Sequence, residues 1–413
     1  MIRSAAVIGL GYVGLPTAAV FADAGLDVIG VDVNPDAVAS INAGRPHIVE
    51  PNLESLLRRV VEAGKLRAVT QPEPADVYVL AVPTPFRDGK QPDLKYIEAA
   101  AHALSPHLAK GALVILESTS PVGATEQLAR WLAAERPDLS FPQDAGDLAD
   151  VQVAHCPERV LPGKVLHEVV HNSRVIGGMT RHCAARAVAF YRLAVQGECH
   201  VTDARTAELA KLTENAFRDV NIAFANELSV ICHDLGIDPW ELIEMANKHP
   251  RVNILNPGPG VGGHCIAVDP WFIVDSTPEK ARLIHQARDV NDGKPHWVVD
   301  RIAEKAARFK APVIACLGLA YKPDVDDLRE SPSIDVVREA VARGIGDILA
   351  VDPYVSELPP ELAGAEHADF EDAIRRADIV VVLTGHSSFR NVRISELDGK
   401  ALIDTCGLFR ARM

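Results

Sequence analysis

Ala5-Ala6-Val7-Ile8-Gly9-Leu10-Gly11-Tyr12-Val13-Gly14 is an apolar run that breaks into three glycines at G-x-G-x-x-G spacing. The Ala-rich stretch from Leu15 to Ala24 reads as a helix closed by Gly25, and Val28-Ile29-Gly30-Val31 reads as a second strand ending at Asp32. Strand, glycine turn, helix, strand and acid in that order form a dinucleotide-binding fingerprint. The glycines allow the tight turn and admit a pyrophosphate, which the helix N-terminus receives on unpaired N–H groups and a positive dipole. Asp32, eighteen residues after Gly14, is placed to accept hydrogen bonds from ribose hydroxyls. A carboxylate there repels a 2′-phosphate, so NAD is expected rather than NADP. Gly9, Gly11, Tyr12, Val13, Gly14 and Asp32 are the first cofactor-site candidates.

Further βα units follow. Asp76–Val82 is a near-continuous apolar run, as buried parallel strands show, and ends in Pro83-Thr84-Pro85. Ala112–Leu116 ends in Glu117-Ser118-Thr119-Ser120-Pro121-Val122-Gly123, and Val151–Ala154 ends in Cys156-Pro157-Glu158-Arg159-Val160-Leu161-Pro162-Gly163. Polar loops at three strand ends point to one crevice. From Asp203 a helical pattern runs to about Leu235. Lys211 and Asn215, four apart, share one of its faces; Asn226 and Arg218 lie near the same stripe. A second helix starts at Asp238-Pro239 and leads to His249 and Arg251. Helical patterns are expected over Glu279–Val290 and Pro295–Phe309, broken at Asn291-Asp292-Gly293. Strands at Pro312–Leu317, Ile348–Val351, Ile379–Leu383 and Leu402-Ile403 build a second α/β half, with a helix near Ser331-Pro332. That half has no complete G-x-G-x-x-G, so it is expected to bind something other than a second dinucleotide. The fold class is therefore α/β: two Rossmann-like doubly wound parallel-sheet domains, residues 1–200 and 311–413, joined by a central all-α domain, residues 201–310, with a long helix.

Between the halves lies Gly258-Pro259-Gly260-Val261-Gly262-Gly263-His264-Cys265-Ile266-Ala267-Val268-Asp269. Taken alone, it reads as a loop entering a buried strand at Ile266–Val268, with Cys265 a small core residue. The same glycines also suit a backbone that lets a ligand approach a nucleophile.

The net charge of −14 argues against a nucleic-acid partner, which needs a basic face. No apolar run reaches the roughly 18 residues needed to span a bilayer. The chain enters a strand directly, without the charged and apolar regions of a signal peptide. Seven scattered cysteines form no C-x-x-C pair, which fits a reducing cytoplasm. Cysteine and histidine occur as neighbours (His264-Cys265, Cys199-His200), not at metal-chelating spacing, so no metal is expected.

A hydride acceptor, a cysteine in a glycine loop, a helix lysine and carboxylates at Glu158 and Asp269 make a specific combination. Oxidising an alcohol to a carbonyl needs no nucleophile. Oxidising the aldehyde further does, because it has no hydride to give until something adds to it. A cysteine thiolate adds to give a thiohemiacetal; loss of hydride gives a thioester; water cleaves it. Lys211 is the candidate for activating the thiol and steadying the oxyanion, and Glu158 or Asp269 the candidate base. Two other readings stay open at this point: a single-step hydroxyacid dehydrogenase, which predicts one NADH per substrate, and a non-catalytic NAD/nucleotide-sugar sensor, which needs no Cys265.

These motifs, from Gly9–Gly14 through Val82–Pro85, Glu117–Gly123, Pro157-Glu158, Ala210-Lys211 with Asn215, and Gly260–Asp269 to Gly318–Ser331, resemble the UDP-glucose/GDP-mannose dehydrogenase family over nearly the whole chain. The resemblance implies a UDP-sugar substrate, a homodimer or higher homo-oligomer built on the long helix, and a C-terminal domain that binds the nucleotide. It implies Cys265 as nucleophile, Lys211 as general acid/base, Asn215 and Asp269 as supports of the thiohemiacetal and water, Glu158 as base and Thr119 as the orienter of a water. It places Thr84, Thr119 and Arg329 at NAD. It places Gly262, Tyr321, Lys322 and Arg410 at substrate, together with Arg251 from the neighbouring subunit. Where one branch has Gly-Gly-Ser-Cys-Phe, this chain has Gly262-Gly263-His264-Cys265-Ile266. His264 with Val268-Asp269-Pro270-Trp271-Phe272 is most similar to the branch oxidising UDP-N-acetyl-D-mannosamine, a resemblance that implies Arg159, Val160, Arg218 and His249 at the sugar site; a cousin branch oxidises UDP-N-acetylglucosamine.

Overall fold

The structure, a computed structural model, describes residues 2–160 and 163–410. The chain divides into two compact units, residues 1–213 and 214–413. In chain order the first holds β1 (Ser4–Ile8), α1 (Gly14–Asp23), β2 (Asp27–Val31), α2 (Pro35–Asn42), α3 (Leu53–Glu62), β3 (Leu66–Val69), β4 (Val77–Leu80), a small hairpin of β5 (Phe86–Arg87) and β6 (Gln91–Pro92), α4 (Lys95–Leu104), β7 (Leu113–Leu116), α5 (Ala124–Glu135), α6 (Pro142–Ala145), β8 (Gln152–His155), α7 (Val165–His171), β9 (Arg174–Gly178), α8 (Arg181–Tyr191), β10 (Cys199–Asp203) and the start of α9 (Ala204–Leu235).

Eight strands form one sheet in the order β10-β9-β8-β7-β4-β1-β2-β3. All neighbours are parallel except β8 and β9, a pairing the sequence pattern did not reveal. The strands are short apolar runs because both faces are covered. On one face Leu15, Phe21, Leu57, Val169 and Phe190 pack from the helices, with Phe21 stacked on Phe190 at 4.2 Å. On the other, Ile97, Leu104, Leu128 and Leu132 do the same. β1 pairs with β2 on one side and β4 on the other, so the connections diverge beside β1 and leave a crevice at the strands' carboxyl ends.

The second unit takes up α9 from Glu214 and continues with α10 (Pro239–Ala246), α11 (Asp269–Ser276), α12 (Arg282–Ala306), β11 (Val313–Leu317), α13 (Pro332–Ala342), β12 (Asp347–Val351), β13 (Glu366–His367), α14 (Phe370–Arg376), β14 (Ile379–Val382) and β15 (Ala401–Asp404). Its five strands are all parallel, ordered β13-β12-β11-β14-β15. Gly318 after β11 has φ +90°, matching φ +91° at Gly9 after β1. Asp352 after β12 accepts the Leu319 N–H at 2.7 Å, as Asp32 accepts the Leu10 N–H at 2.9 Å. In the second unit, however, the buried His386 also lies 3.0 Å from Asp352. The same turn is thus built twice, and its acid is further engaged in the second.

Two sequence expectations change. The break at 291–293 is absent: α12 runs through it with Pro295 inside. Proline costs a helix interior about 3 kcal/mol and removes the donor for the Asn291 carbonyl. Val298, Val299 and Ile302 are fully buried in the C-terminal core, and burying each contributes about 1.5–3 kcal/mol, which outweighs the loss. Ile266–Val268 is not a strand. The Cys265 carbonyl accepts the N–H groups of Val268 and Asp269, at 3.1 and 2.8 Å, and the chain turns directly into α11.

Candidate active site

In the first unit the fingerprint has a physical basis at each glycine. Gly9 turns with φ +91°, and a Cβ there would meet the Ala81 carbonyl oxygen at 2.6 Å. A Cβ on Gly14, the first residue of α1, would lie 1.8 Å from the Gly9 carbonyl oxygen. Gly11 faces open space. Val13 caps α1 without a side-chain hydrogen bond, no acid stands in the first turn, and Tyr12 beside it is 47% exposed. The helix N-terminus is therefore ready for an anion. Asp32 accepts the Leu10 and Asn34 N–H groups, both at 2.9 Å. These residues fit a bound NAD: an open glycine, an uncapped helix end and an acid at the next strand.

Thr84 donates to the Thr119 carbonyl at 2.5 Å, and Ser118 donates to the Val82 carbonyl at 2.6 Å, so the loops after β4 and β7 are laced together. Beside them lies a buried charge cluster. Arg174 on β9 pairs with Glu158 at 2.5 Å and stands 3.9 Å from Glu117. Glu117 also accepts from the Tyr191 hydroxyl at 3.2 Å. Burial, then the charge of Glu158, pushes the Glu117 carboxyl up to about 8. One guanidinium thus faces two carboxyls, and the proton stays on Glu117. The next residue, Arg159, donates to Ser173 oxygens at 2.6 and 3.2 Å, and Val160 is half-buried. Leu161 and Pro162 of this loop lie outside the described residues. Lys211 is half-buried on α9, one turn after Glu208. Glu208 is buried and accepts the Gly123 N–H, the Thr125 N–H and the Thr125 hydroxyl at 2.6–2.7 Å, which fixes the start of α9 on the N-terminus of α5.

In the second unit Cys265 is, among the described residues, the only exposed cysteine. By contrast, burial pushes the Cys156 and Cys316 thiols up to about 12. Asn215 donates to Asp269 at 2.5 Å, both buried, one turn beyond Cys265. The glycines before Cys265 have a role the sequence did not disclose. A Cβ on Gly262 would lie 2.5 Å from the Glu330 carbonyl oxygen and 2.7 Å from Cβ of Tyr321. One on Gly263, at φ +81°, would lie 2.8 Å from the Tyr321 ring. The Gly263 N–H donates to the Arg329 carbonyl at 3.1 Å. These glycines admit the loop after β11, not only a ligand. Asp324 and Glu330 on that loop hold φ +60° and +49°.

Of the other candidates, the Arg329 guanidinium forks onto Asp327 at 2.9 and 2.6 Å, and Lys322 is exposed nearby in sequence. Arg218, His249 and Arg251 are exposed, and the Arg251 N–H donates to His249 at 3.3 Å. Arg410 donates to Glu244 at 3.2 Å at the edge of a recess of about 300 Å³ bordered by Trp240, Asn247, Lys248 and Asn256. Arg174, Glu117, Glu208 and Tyr321's contact with Gly263 escaped a site reading from the sequence. Only Glu117 left a signal, as an acid closing an apolar strand.

Comparison with known proteins bears on what these sites serve. Residues 3–195 match the NAD binding domain of the UDP-glucose/GDP-mannose dehydrogenase family, residues 205–293 its central domain and residues 315–411 its UDP binding domain. The NDP-N-acetyl-D-galactosaminuronic acid dehydrogenase of Ralstonia nicotianae is 61% identical over 410 residues, covering 99% of this chain and 97% of that one. The UDP-N-acetyl-D-mannosamine dehydrogenase of Yersinia pestis is 57% identical over 413 residues, covering 98% of each. The structure of the UDP-D-ManNAc dehydrogenase from Pyrococcus horikoshii superposes with a TM-score of 0.89 at 39% identity, covering 98% of this chain and 96% of that one. With the glycine turn, Asp32 and an exposed cysteine in its glycine loop, the chain belongs to the UDP-glucose/GDP-mannose dehydrogenase family and is an NAD-dependent nucleotide-sugar dehydrogenase.

Proposed function

We propose that the chain oxidises C-6 of UDP-N-acetyl-D-mannosamine to the carboxylate, giving UDP-N-acetyl-D-mannosaminuronate, with two NAD consumed per turnover. The observation that carries this reading is Cys265: an exposed thiol, in a loop of the central domain, with the buried Asn215–Asp269 pair one turn away. A two-electron alcohol dehydrogenase has no use for it. Gly9–Gly14 and Asp32 would hold NAD, which would supply the hydride acceptor for each of the two oxidations. Lys211 takes the proton of the C-6 hydroxyl in the first. The Cys265 thiolate adds to the resulting aldehyde carbon, and Lys211 steadies the oxyanion. Loss of the second hydride leaves a thioester on Cys265. Asn215, Asp269 and Thr119 orient water on it, and Glu158, locked in direction by Arg174, accepts the water proton as the C–S bond breaks and the thiolate leaves. Arg159, Val160, Arg218 and His249 line the sugar, with Arg251 supplied by a second copy. Gly262, Tyr321, Lys322 and Arg410 serve the nucleotide, and Arg329 assists at NAD.

The active form is a homodimer. On α9, Phe217, Phe224 and Ile231 recur every seven residues and are 67%, 52% and 44% exposed, with Leu235 beyond them. An exposed apolar stripe at that period supports helix-on-helix pairing with a second copy. Residues 1–200, 201–310 and 311–413 act as NAD-binding, helical and UDP-sugar domains. The enzyme works in the cytoplasm and its product feeds polysaccharide synthesis. Among the described residues, no helix is long and apolar enough to cross a membrane.

A second reading, oxidation of UDP-N-acetyl-D-galactosamine, is favoured by the 61% identity to the Ralstonia protein. The test is NADH formation with UDP-ManNAc, UDP-GlcNAc, UDP-GalNAc, UDP-glucose and GDP-mannose. Fastest turnover of UDP-ManNAc is expected. Preference for UDP-GalNAc replaces the first reading with the second, and preference for UDP-GlcNAc with the cousin branch.

A further inference from the structure

The loop that ends at Cys265 begins at Gly258, and its start is tied to the interior of the helical region. The side chain of Asn226, on α9, is fully buried. Its carbonyl oxygen accepts the Gly258 N–H at 2.8 Å, and its amide donates to Asn291 on α12 at 2.9 Å. Asn291 in turn donates to Asp219 at 2.8 Å, and Asp219 pairs with the buried Arg288 at 2.6 Å. Two residues along the loop, a Cβ on Gly260 would meet the Asn291 carbonyl oxygen at 3.2 Å and Cβ of Pro332 at 2.7 Å. A connected polar chain therefore crosses α12 and α9 and ends on the backbone of the nucleophile loop. Both ends of the Asn226 side-chain amide are committed: the oxygen to the loop and an N–H to α12. A buried amide in a helix interface costs desolvation unless both ends are satisfied. Leucine would pack there at lower cost, and only an acceptor of this length meets the Gly258 N–H.

We propose that Asn226 is a positioning residue for the reaction: it anchors the Gly258–Gly263 segment and so sets where Cys265 stands. It touches neither substrate nor cofactor and acts through the backbone. The inference rests on Cys265 being the nucleophile of the proposed function. Displacing a nucleophile by about 1 Å can cost on the order of 100-fold in rate while binding is kept.

The experiment compares the full-length enzyme with Asn226→Ala and with Gly258→Pro, which deletes the donor from the other end without opening a core cavity. Ser229→Ala serves as comparator; it removes a buried hydroxyl that accepts from Lys294 and donates to the backbone carbonyl of Asn226, but makes no bond to the loop. Three quantities are read: melting temperature, the kcat and KM of NADH formation, and the rate of Cys265 alkylation by iodoacetamide. Expected for both loop variants are kcat lowered by about 10-fold or more, KM within about twofold, and alkylation altered by about fivefold or more. Ser229→Ala is expected to lower the melting temperature with alkylation unchanged. Unaltered alkylation and kcat in Gly258→Pro, or the same alkylation change in Ser229→Ala, overturns the proposal. Alkylation needs no sugar, so a wild-type enzyme inactive on every nucleotide sugar refutes the proposed function and leaves this comparison standing.

Discussion

Glu117 and Glu158 compete for Arg174 in a buried cluster, and the outcome is a Glu117 carboxyl that keeps its proton at neutral pH. The folded-state value is raised, so the stabilisation is full below the ordinary carboxylate range near 4.5 and is lost as pH rises through about 8. Glu117→Gln cannot ionise. Its urea stability is expected to change less between pH 5 and 8 than that of wild type, with the gap in its favour growing toward pH 8. Parallel curves would show that Glu117 is already charged. Reading the sequence found Glu117 only as one polar residue after a strand. Its partner Arg174 is 57 positions away, on a strand paired antiparallel to β8, and nothing local announces that pairing. Asp32, by contrast, was legible, because its meaning depends on a strand–turn–helix unit a few tens of residues long.

Helix α9 carries both Lys211 and Asn215, and its start and its later turns are governed by different devices. At the start, Glu208 receives three donors at the N-terminus of α5. Glu208→Ala leaves those donors without their acceptor, at about 1–3 kcal/mol for each one buried. A lowered melting temperature is expected, with kcat reduced more than KM is raised, since Lys211 sits one turn on. A variant that melts as wild type would contradict this anchoring. Along its later turns the exposed apolar stripe is the contact of the proposed homodimer. For the proposed homodimer, Phe224→Glu is expected to lower the light-scattering mass to that of a monomer, and an unchanged mass would remove that stripe from the proposed interface. The helix itself was plain from an unbroken apolar pattern. The continuity of α12 was not, because Pro295 and Asn291-Asp292-Gly293 are breaker residues whose cost is offset only by packing in the assembled core.

Motif order along the chain identified the family, and the strand–Gly–acid turn is used twice, at Asp32 and at Asp352. The purpose of Gly260, Gly262 and Gly263 was not, since it lies in Tyr321, Glu330 and Pro332, some 60 residues on. They bring the loop after β11 of the UDP-sugar domain against the loop that bears Cys265. The proposed function depends on that cysteine carrying the aldehyde through the second oxidation. The direct test is the number of NADH formed per UDP-ManNAc consumed, in wild type and in Cys265→Ala. Two NADH and a uronate product are expected for wild type, and no uronate with at most one NADH per sugar for the variant. One NADH per sugar in wild type, or a variant that still yields uronate, would contradict this.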